Sequence, residues 1–589
     1  MLDDDANKAI RRYAMKHTIT LNNAYKQFTL DQDKILPPEE TVKRFKTKLK
    51  KIDLDILKNT IRIDNGRLNI PIYFSTCGKD AAAVIGTKKQ MGKGGTPPQA
   101  EASAVMELAE RFSFFSFAAN PNNFFIDKFA NVKEDAIAFE MIAKSVHDES
   151  DDLKLSRKIF ENLPLKWTRG YNLTREKEVL IPFDWFFAIN EFNGPSAGNC
   201  VEEALIQGIC EIVERHTSSI ISQNKLKVPA IRPESASDPL ITEMLQKYKN
   251  AGVDLYLSDF SLDTGIPTVG VLAHDPATFP HLSEIVWTAG TTPNPQKALS
   301  RALTEVAQLA GDFNTGANYV ASGLPKFSTI EEADFVINSG KRIDIDDLPD
   351  QTDNNLKTEI LNCLSALAAN NMDVLAINTM HAQLVIPAFY TIIPGAHFRE
   401  RSLGTSVAMF SAKHIFENRP TKEAILELEA MDKVLPGKYY VHFYLGASNL
   451  AINDPKTALT SLRRALTLNP TRQDIPSIYS YLGVALKEMG EYRQALANLQ
   501  EGVKLDSCRT DIYNLMGFCH FKLKEHENAI RDFKKVIELD PSSAIDYANI
   551  ASNYRQMGEK QKAIRYYQMA ITLDDTIQFA REHLQELTG

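Results

Sequence analysis

The feature that most limits what this chain can fold into is a repeat near its end. Four segments recur there: YLGASNLAINDPKTALTSLRRALTLNP, YLGVALKEMGEYRQALANLQEGVKLDS, LMGFCHFKLKEHENAIRDFKKVIELDP and NIASNYRQMGEKQKAIRYYQMAITLDD. A small residue stands at Gly446, Gly483, Gly517 and Ala551, at spacings of 37, 34 and 34. The segment ends, Pro470, Ser507, Pro541 and Asp575, step by the same intervals. Each unit reads as two amphipathic helices that cannot bury their apolar faces alone, so neighbouring units must stack. Small residues let the paired helices approach closely, and Pro or Asp closes the second helix. Residues 421–436 (TKEAILELEAMDKVLP) read as a lead-in helix closed by Pro436, which places a domain boundary near 430.

A 34-residue period of paired helices resembles the tetratricopeptide repeat. The resemblance implies a concave face that takes a protein partner, or a surface through which two copies of the chain pair as a homodimer.

With 589 residues the chain has room for further domains, and 44% apolar with 24% charged residues is the composition of packed cores. A net charge of -8 and a pI near 5.9 argue against a nucleic-acid partner held by a basic surface. No apolar run is long enough to span a bilayer, so no membrane partner is expected. The start, MLDDDANKAIRRY, lacks the basic and apolar regions of a signal peptide. Six scattered cysteines form no C-x-x-C, so reduced thiols and a cytoplasmic location are expected. Strand-like runs at 68–74, 178–189, 254–259, 267–275, 373–379 and 384–393 alternate irregularly with helical patterns at 99–117, 200–222 and 295–312. That pattern predicts an α+β domain of mixed sheets covered by helices.

Those three helices carry polar stripes. Helical phase puts Ser103, Glu107, Glu110 and Arg111 on one face of the first, and Asn199, Glu203, Gln207, Glu211, Glu214 and Arg215 on one face of the second. Both contain E-x-x-E-R, as ELAER and EIVER, 104 residues apart. On the third, Arg301, Glu305 and Gln308 share a face. On a solvated helix such residues form weak i, i+4 ion pairs. Several carboxylates converging from three helices would instead need a cation among them. Mg²⁺ shared with substrate phosphates suits them, with arginines on the phosphate oxygens. The segment Gly92-Lys93-Gly94-Gly95 fails the phosphate-loop pattern, since Thr87 and Gly94 stand where Gly and Ser/Thr are required. It reads as a turn into the helix begun by Pro97 and Pro98. His216 reads as a structural histidine, and no histidine lies in H-E-x-x-H.

GKG…SAxxExxER, then SAGNxxxEAxxQGxxExxER, then RALTEVxQ, in that order, resemble the YcaO family over roughly residues 30–420. The resemblance implies a fold that binds ATP with Mg²⁺ without a Walker motif and phosphorylates a backbone amide oxygen of a peptide or protein. The product would be an azoline, an amidine or a thioamide. It further implies nucleotide contacts at Lys34, Thr41, Ser103, Arg111, Asn199, Glu203, Gln207, Arg215 and Arg301. Glu107, Glu110, Glu211, Glu214 and Glu305 are implied at the metal, and no residue is named as a catalytic base. The expected layout is an extension at 1–30, a YcaO-type domain at 31–430 and repeats at 431–589. Azoline-forming members commonly end in PxPxP, whereas this sequence ends in HLQELTG. The expectation therefore leans to thioamidation, or to an accessory role in ribosomal-protein β-methylthiolation. A cyclodehydratase and a non-catalytic interaction protein are the alternatives. In VIPAFYTIIPGAHFRERSLG (385–404), Pro394-Gly395 reads as a turn after a buried strand, with Arg399 or Arg401 beside phosphate.

Overall fold

The structure, a computed structural model, describes residues 18–316, 323–398 and 405–589. Arg399 and Arg401 lie outside the described residues. Described residues 18–148 and 161–398 form one compact unit; residues 149–160 and 405–589 form a second. The division expected near 430 thus falls inside the second unit, and residues 18–30 belong to the first.

Three sheets make up the first unit. Leu57–Arg62, Ile72–Cys77 and Lys89–Lys93 form an antiparallel three-stranded sheet. A larger sheet runs in the order Phe125–Lys128, Pro164–Asn172, Leu375–Asn378, Ala388–Ile392, Pro195–Ala197, with Lys177–Pro182 also paired to the second strand. The third is ordered Val286–Thr291, Thr268–His274, Asp254–Asp259, Ala230–Ile231, Arg342–Ile343, its last pair parallel. Thr268–His274 shows why its sequence reads as a continuous apolar run: it is buried on both faces. Val269, Val271 and Ala273 pack with Leu299, Leu303 and Val306, while Leu272 packs with Phe260 and Trp287 on the opposite side.

Four helices carry the polar stripes and their neighbour: α1 (Pro38–Leu49), α2 (Pro97–Ala119), α3 (Val201–Asn224) and α4 (Pro295–Ala310). α2 lies on strands Ile72–Cys77 and Lys89–Lys93 and buries Val105, Leu108 and Phe112 against Val42 and Phe45 of α1. α3 lies on Ala388–Ile392 and Pro195–Ala197, and α4 on the Thr268–His274/Val286–Thr291 hairpin. Local signals fix their starts. Pro97 and Pro98 open α2, Cys200 caps α3, and the Asn294 side chain accepts the Lys297 N–H at the start of α4. The apolar run at 178–189 departs from the single strand expected. It is strand only to Pro182, which takes the N-cap position, and helix over Phe183–Asn190. Of the turn expected at 92–95, Gly92 and Lys93 instead end the strand Lys89–Lys93, while Gly94 and Gly95 lead irregularly into α2.

The second unit is all-α. Helix pairs Tyr439–Ala451/Pro455–Thr467, Ile475–Glu488/Tyr492–Leu505, Thr510–Lys522/His526–Leu539 and Ala544–Gln556/Lys560–Leu573 follow the four repeats. The lead-in helix spans Thr421–Val434. At Gly483 a Cβ would stand 2.4 Å from Leu499 Cδ2, so the glycine is what lets this pair close.

The segment preceding α1 is a strap with little regular structure, anchored by buried side chains. Asn22 N–H donates to Glu202 (2.6 Å), Ala24 N–H to Asn355 (2.9 Å) and Ile35 N–H to Glu203 (2.7 Å). Lys26 pairs with Asp33 at 2.8 Å and with Glu359, and Asp33 also pairs with Lys297. Asp31, 4% exposed, accepts the Gly95 N–H at 2.7 Å and the Gln99 side-chain amide. Two outcomes follow. Lys26→Met leaves Glu359 buried without its cation and should cost about 3–5 kcal/mol in denaturant unfolding; a loss below about 1 kcal/mol would show that the strap is not held this way. Burial pushes the Asp31 carboxyl up from 3.8 to about 6, against the pull of the Gly95 N–H, Lys297 and Lys34. A carboxyl raised in this way contributes its full stability only below its unfolded pKa and loses it as pH rises through about 6. Asp31→Asn should therefore stabilise the protein more at about pH 7 than at about pH 4, as read from unfolding midpoints. An equal effect at both would contradict the shift.

Candidate functional site

The three stripes face one another across a cavity of about 300 Å³, at the lower end of small-molecule sites. α2 contributes Ser103, Glu107, Glu110 and Arg111; α3 contributes Glu203, Gln207, Glu211 and Arg215, with Asn199 just before it; α4 contributes Arg301, Glu305 and Gln308. The strap and α1 close the remaining side with Lys34 and Thr41. Among the described residues expected to bind nucleotide or metal, Glu214 alone does not line the cavity.

The strap end is a hydrogen-bonded corner. Glu203, 1% exposed, accepts the Asn199 N–H (2.9 Å), the Asn199 side-chain amide (3.0 Å) and the Ile35 N–H. The Asn199 amide also donates to the Thr41 hydroxyl at 3.0 Å. Lys34 is positioned by its backbone, which exchanges hydrogen bonds with Phe28.

The opposite end is dense in charge. Arg111 lies 3.4 Å from Glu107 and 3.5 Å from Glu110, and donates to the Phe192 carbonyl at 3.3 Å. Glu211 accepts the Gly194 N–H at 3.1 Å and lies 4.0 Å from Arg215. Glu214 sits behind the wall, 3.6 Å from Arg215 and 3.4 Å from Arg301, and Arg301 donates to Gln207 at 3.3 Å. Glu305 pairs with Lys93. Burial, with Glu107 and Glu211 adding to it, holds the Glu110 carboxyl well above its usual range in spite of Arg111. Burial also raises Glu211. For Arg111 and Arg301 burial acts to lower the pKa, but the surrounding carboxylates outweigh it and raise both. Burial, then repulsion from Arg301, lowers Lys93 to about 7.

Five glutamates were expected at a metal. Among the described residues no three His, Cys, Asp or Glu side chains are grouped to hold a metal ion by themselves. The carboxylates are separated because arginines and Lys93 lie between them, and Glu214 is committed to two arginines. This geometry suits an ion that takes one or two carboxylates and completes its shell elsewhere, as Mg²⁺ does with phosphate and water.

Asp31 and Gln99 also line the cavity and were not singled out from the sequence; Lys93 lines it too, although its segment fails the phosphate-loop pattern. For Lys93 the signal was present in its flanking glycines; for Asp31 and Gln99 no local pattern marks them. His216 is structural: its Nδ1 accepts the His397 N–H at 3.0 Å, and burial pushes it down to about 3, so it stays neutral.

Residues 91–397 match the family model described as YcaO cyclodehydratase, ATP- and Mg²⁺-binding, and residues 510–543 and 547–576 match tetratricopeptide repeat models. An uncharacterized protein of Methanothermobacter thermautotrophicus is 30% identical over 285 residues, covering 46% of this chain and 69% of that one. The ribosomal protein S12 methylthiotransferase accessory factor YcaO of Escherichia coli is 29% identical over 146 residues, 24% of each chain. A heterocyclase solved in complex with substrate and cofactor shares the fold, with a TM-score of 0.54 at 20% identity over 67% of this chain and 56% of that one. ATP and Mg²⁺ are the cofactors of the matched family. Since the family model spans more than half of its length, with tetratricopeptide repeats following, the chain belongs to the YcaO family.

Proposed function

We propose that this protein uses Mg²⁺ and ATP to activate a backbone amide of a peptide or protein, and that its repeats hold the protein that carries the amide or acts on it next. The observation that carries the reading is the convergence of three helix stripes on one cavity. Glu107, Glu110, Glu211 and Glu305 face the same space as Arg111, Arg215 and Arg301. Carboxylate oxygens suit a hard divalent ion and guanidinium forks suit phosphate oxygens. The buried Nε of Arg215 has no hydrogen-bond partner, which leaves a donor available to an anion.

When bound, Mg²⁺-ATP supplies the phosphoryl group that makes an amide oxygen a leaving group. The chain's own residues act through position and charge. Arg111 is held by Glu107 and Glu110, and Glu211 by the Gly194 N–H, so both are oriented before a substrate arrives. Glu214 is a positioning residue that orients Arg215 and Arg301. Lys34, Thr41, Asn199 and Glu203 are assigned to the nucleotide at the strap end, with Ser103 and Gln207 along the walls. Surrounding helices limit water, which strengthens each of these interactions.

The group that attacks the activated amide decides the product. Loss of one water marks an azoline, exchange of oxygen for sulfur a thioamide, and an accessory factor would hand its activated substrate to another enzyme. All six thiols are free, which supports a reducing, cytoplasmic setting. Calorimetric titration should show ATP binding that requires Mg²⁺ and weakens at least about tenfold in Glu211→Gln, because the variant removes a charge that the ion and Arg215 both use. Failure of the native protein to bind ATP with Mg²⁺ would overturn the reading.

A further inference from the structure

Lys93 ends strand Lys89–Lys93 between two glycines that face away from it, because side chains alternate along a strand. A Cβ on Gly92 would stand 2.0 Å from the Ala104 nitrogen, and one on Gly94 would stand 2.7 Å from the Ala100 nitrogen. Both glycines therefore lie against the backbone of α2, and the strand can run there only if residues 92 and 94 have no side chain. The residue between them is delivered into the cavity, where the Lys93 side chain is 13% exposed and pairs with Glu305.

Besides Glu305, the carboxylates near this lysine already have an arginine: Glu107 and Glu110 have Arg111, and Glu214, behind the wall, has both Arg215 and Arg301. Arg301 and Arg215 repel the ammonium, while Glu214 and Glu107 attract it. Holding a further cation in the cavity is of use when more negative charge enters than the glutamates supply. An ammonium with three donors on a flexible stem can leave Glu305 for such a charge without any backbone movement.

Building on the nucleotide reading above, we propose that Lys93 is a ligand of the nucleotide's terminal phosphates, exchanging Glu305 for a phosphate oxygen when the nucleotide binds. It performs the task of a phosphate-loop lysine from a strand end instead of from a loop at a helix N-terminus, which is why the segment fails the loop's sequence pattern.

Calorimetry of ATP and AMP with Mg²⁺, on the full-length native protein and on Lys93→Met, tests this directly. The expected result is a loss of about tenfold or more in ATP affinity with AMP affinity unchanged, the size of a lost charge-assisted hydrogen bond. Retained AMP binding also shows that the variant is folded. ATP binding at native strength in Lys93→Met would overturn the role of Lys93 and leave the nucleotide reading intact. An equal loss for ATP and AMP would also overturn it, since the effect would not be specific to the terminal phosphates. A native protein that binds neither nucleotide would overturn both.

Discussion

Buried charge governs this fold's central region. Burial, with Glu107 and Glu211 adding to it, holds the Glu110 carboxyl well above its usual range. Such a group is tolerated only if cations stand beside it and the scaffold is stiff. Both conditions are met. Each guanidinium is supplied from the same helices, one residue after a glutamate in α2 and α3, and each helix packs buried apolar side chains against a sheet. The three helices are held by three different sheets, so the pattern of charge follows from sheet packing and not from the charges themselves.

This division explains what the sequence could reveal. Periodicity exposes which residues share a helix face, and E-x-x-E-R is legible because Glu and Arg at that spacing must project together. The stripes of α2, α3 and α4 were readable for that reason, as were the repeats, whose contacts are all local. Partners distant in sequence were not readable. Asp31 is defined by the Gly95 N–H, 64 residues away, and Glu203 by Ile35, 168 residues away. Nor could phase separate Glu214 from Glu211: both fall on the stripe, but one faces the cavity and the other is buried against two arginines. The run at 178–189 misleads for a different reason. Ten of its twelve residues are apolar, Glu178 and Asp184 being the exceptions, so Pro182 is the main mark of the change from strand to helix.

The second unit depends on opposite physics. Its helices meet through small residues and leucines, each pair touching the next. A chain built in this way can vary the outer surface of its repeats freely while the cavity of the first unit tolerates little change. Specificity for a protein partner and competence for chemistry can then be altered separately.

The strap sets the smallest piece of the first unit that can keep its corner intact. Glu202 and Glu203 open α3 with donors drawn from Asn22 and Ile35, residues that precede the stretch matched to the family by more than fifty positions. A chain trimmed to that stretch would retain every glutamate and arginine of the E-x-x-E-R stripes. It would nevertheless leave two buried carboxylates at the head of α3 short of their hydrogen bonds, and remove Lys34 and Thr41 with them. The unit that shares an evolutionary signature and the unit that is electrostatically complete are therefore different lengths of the same polypeptide.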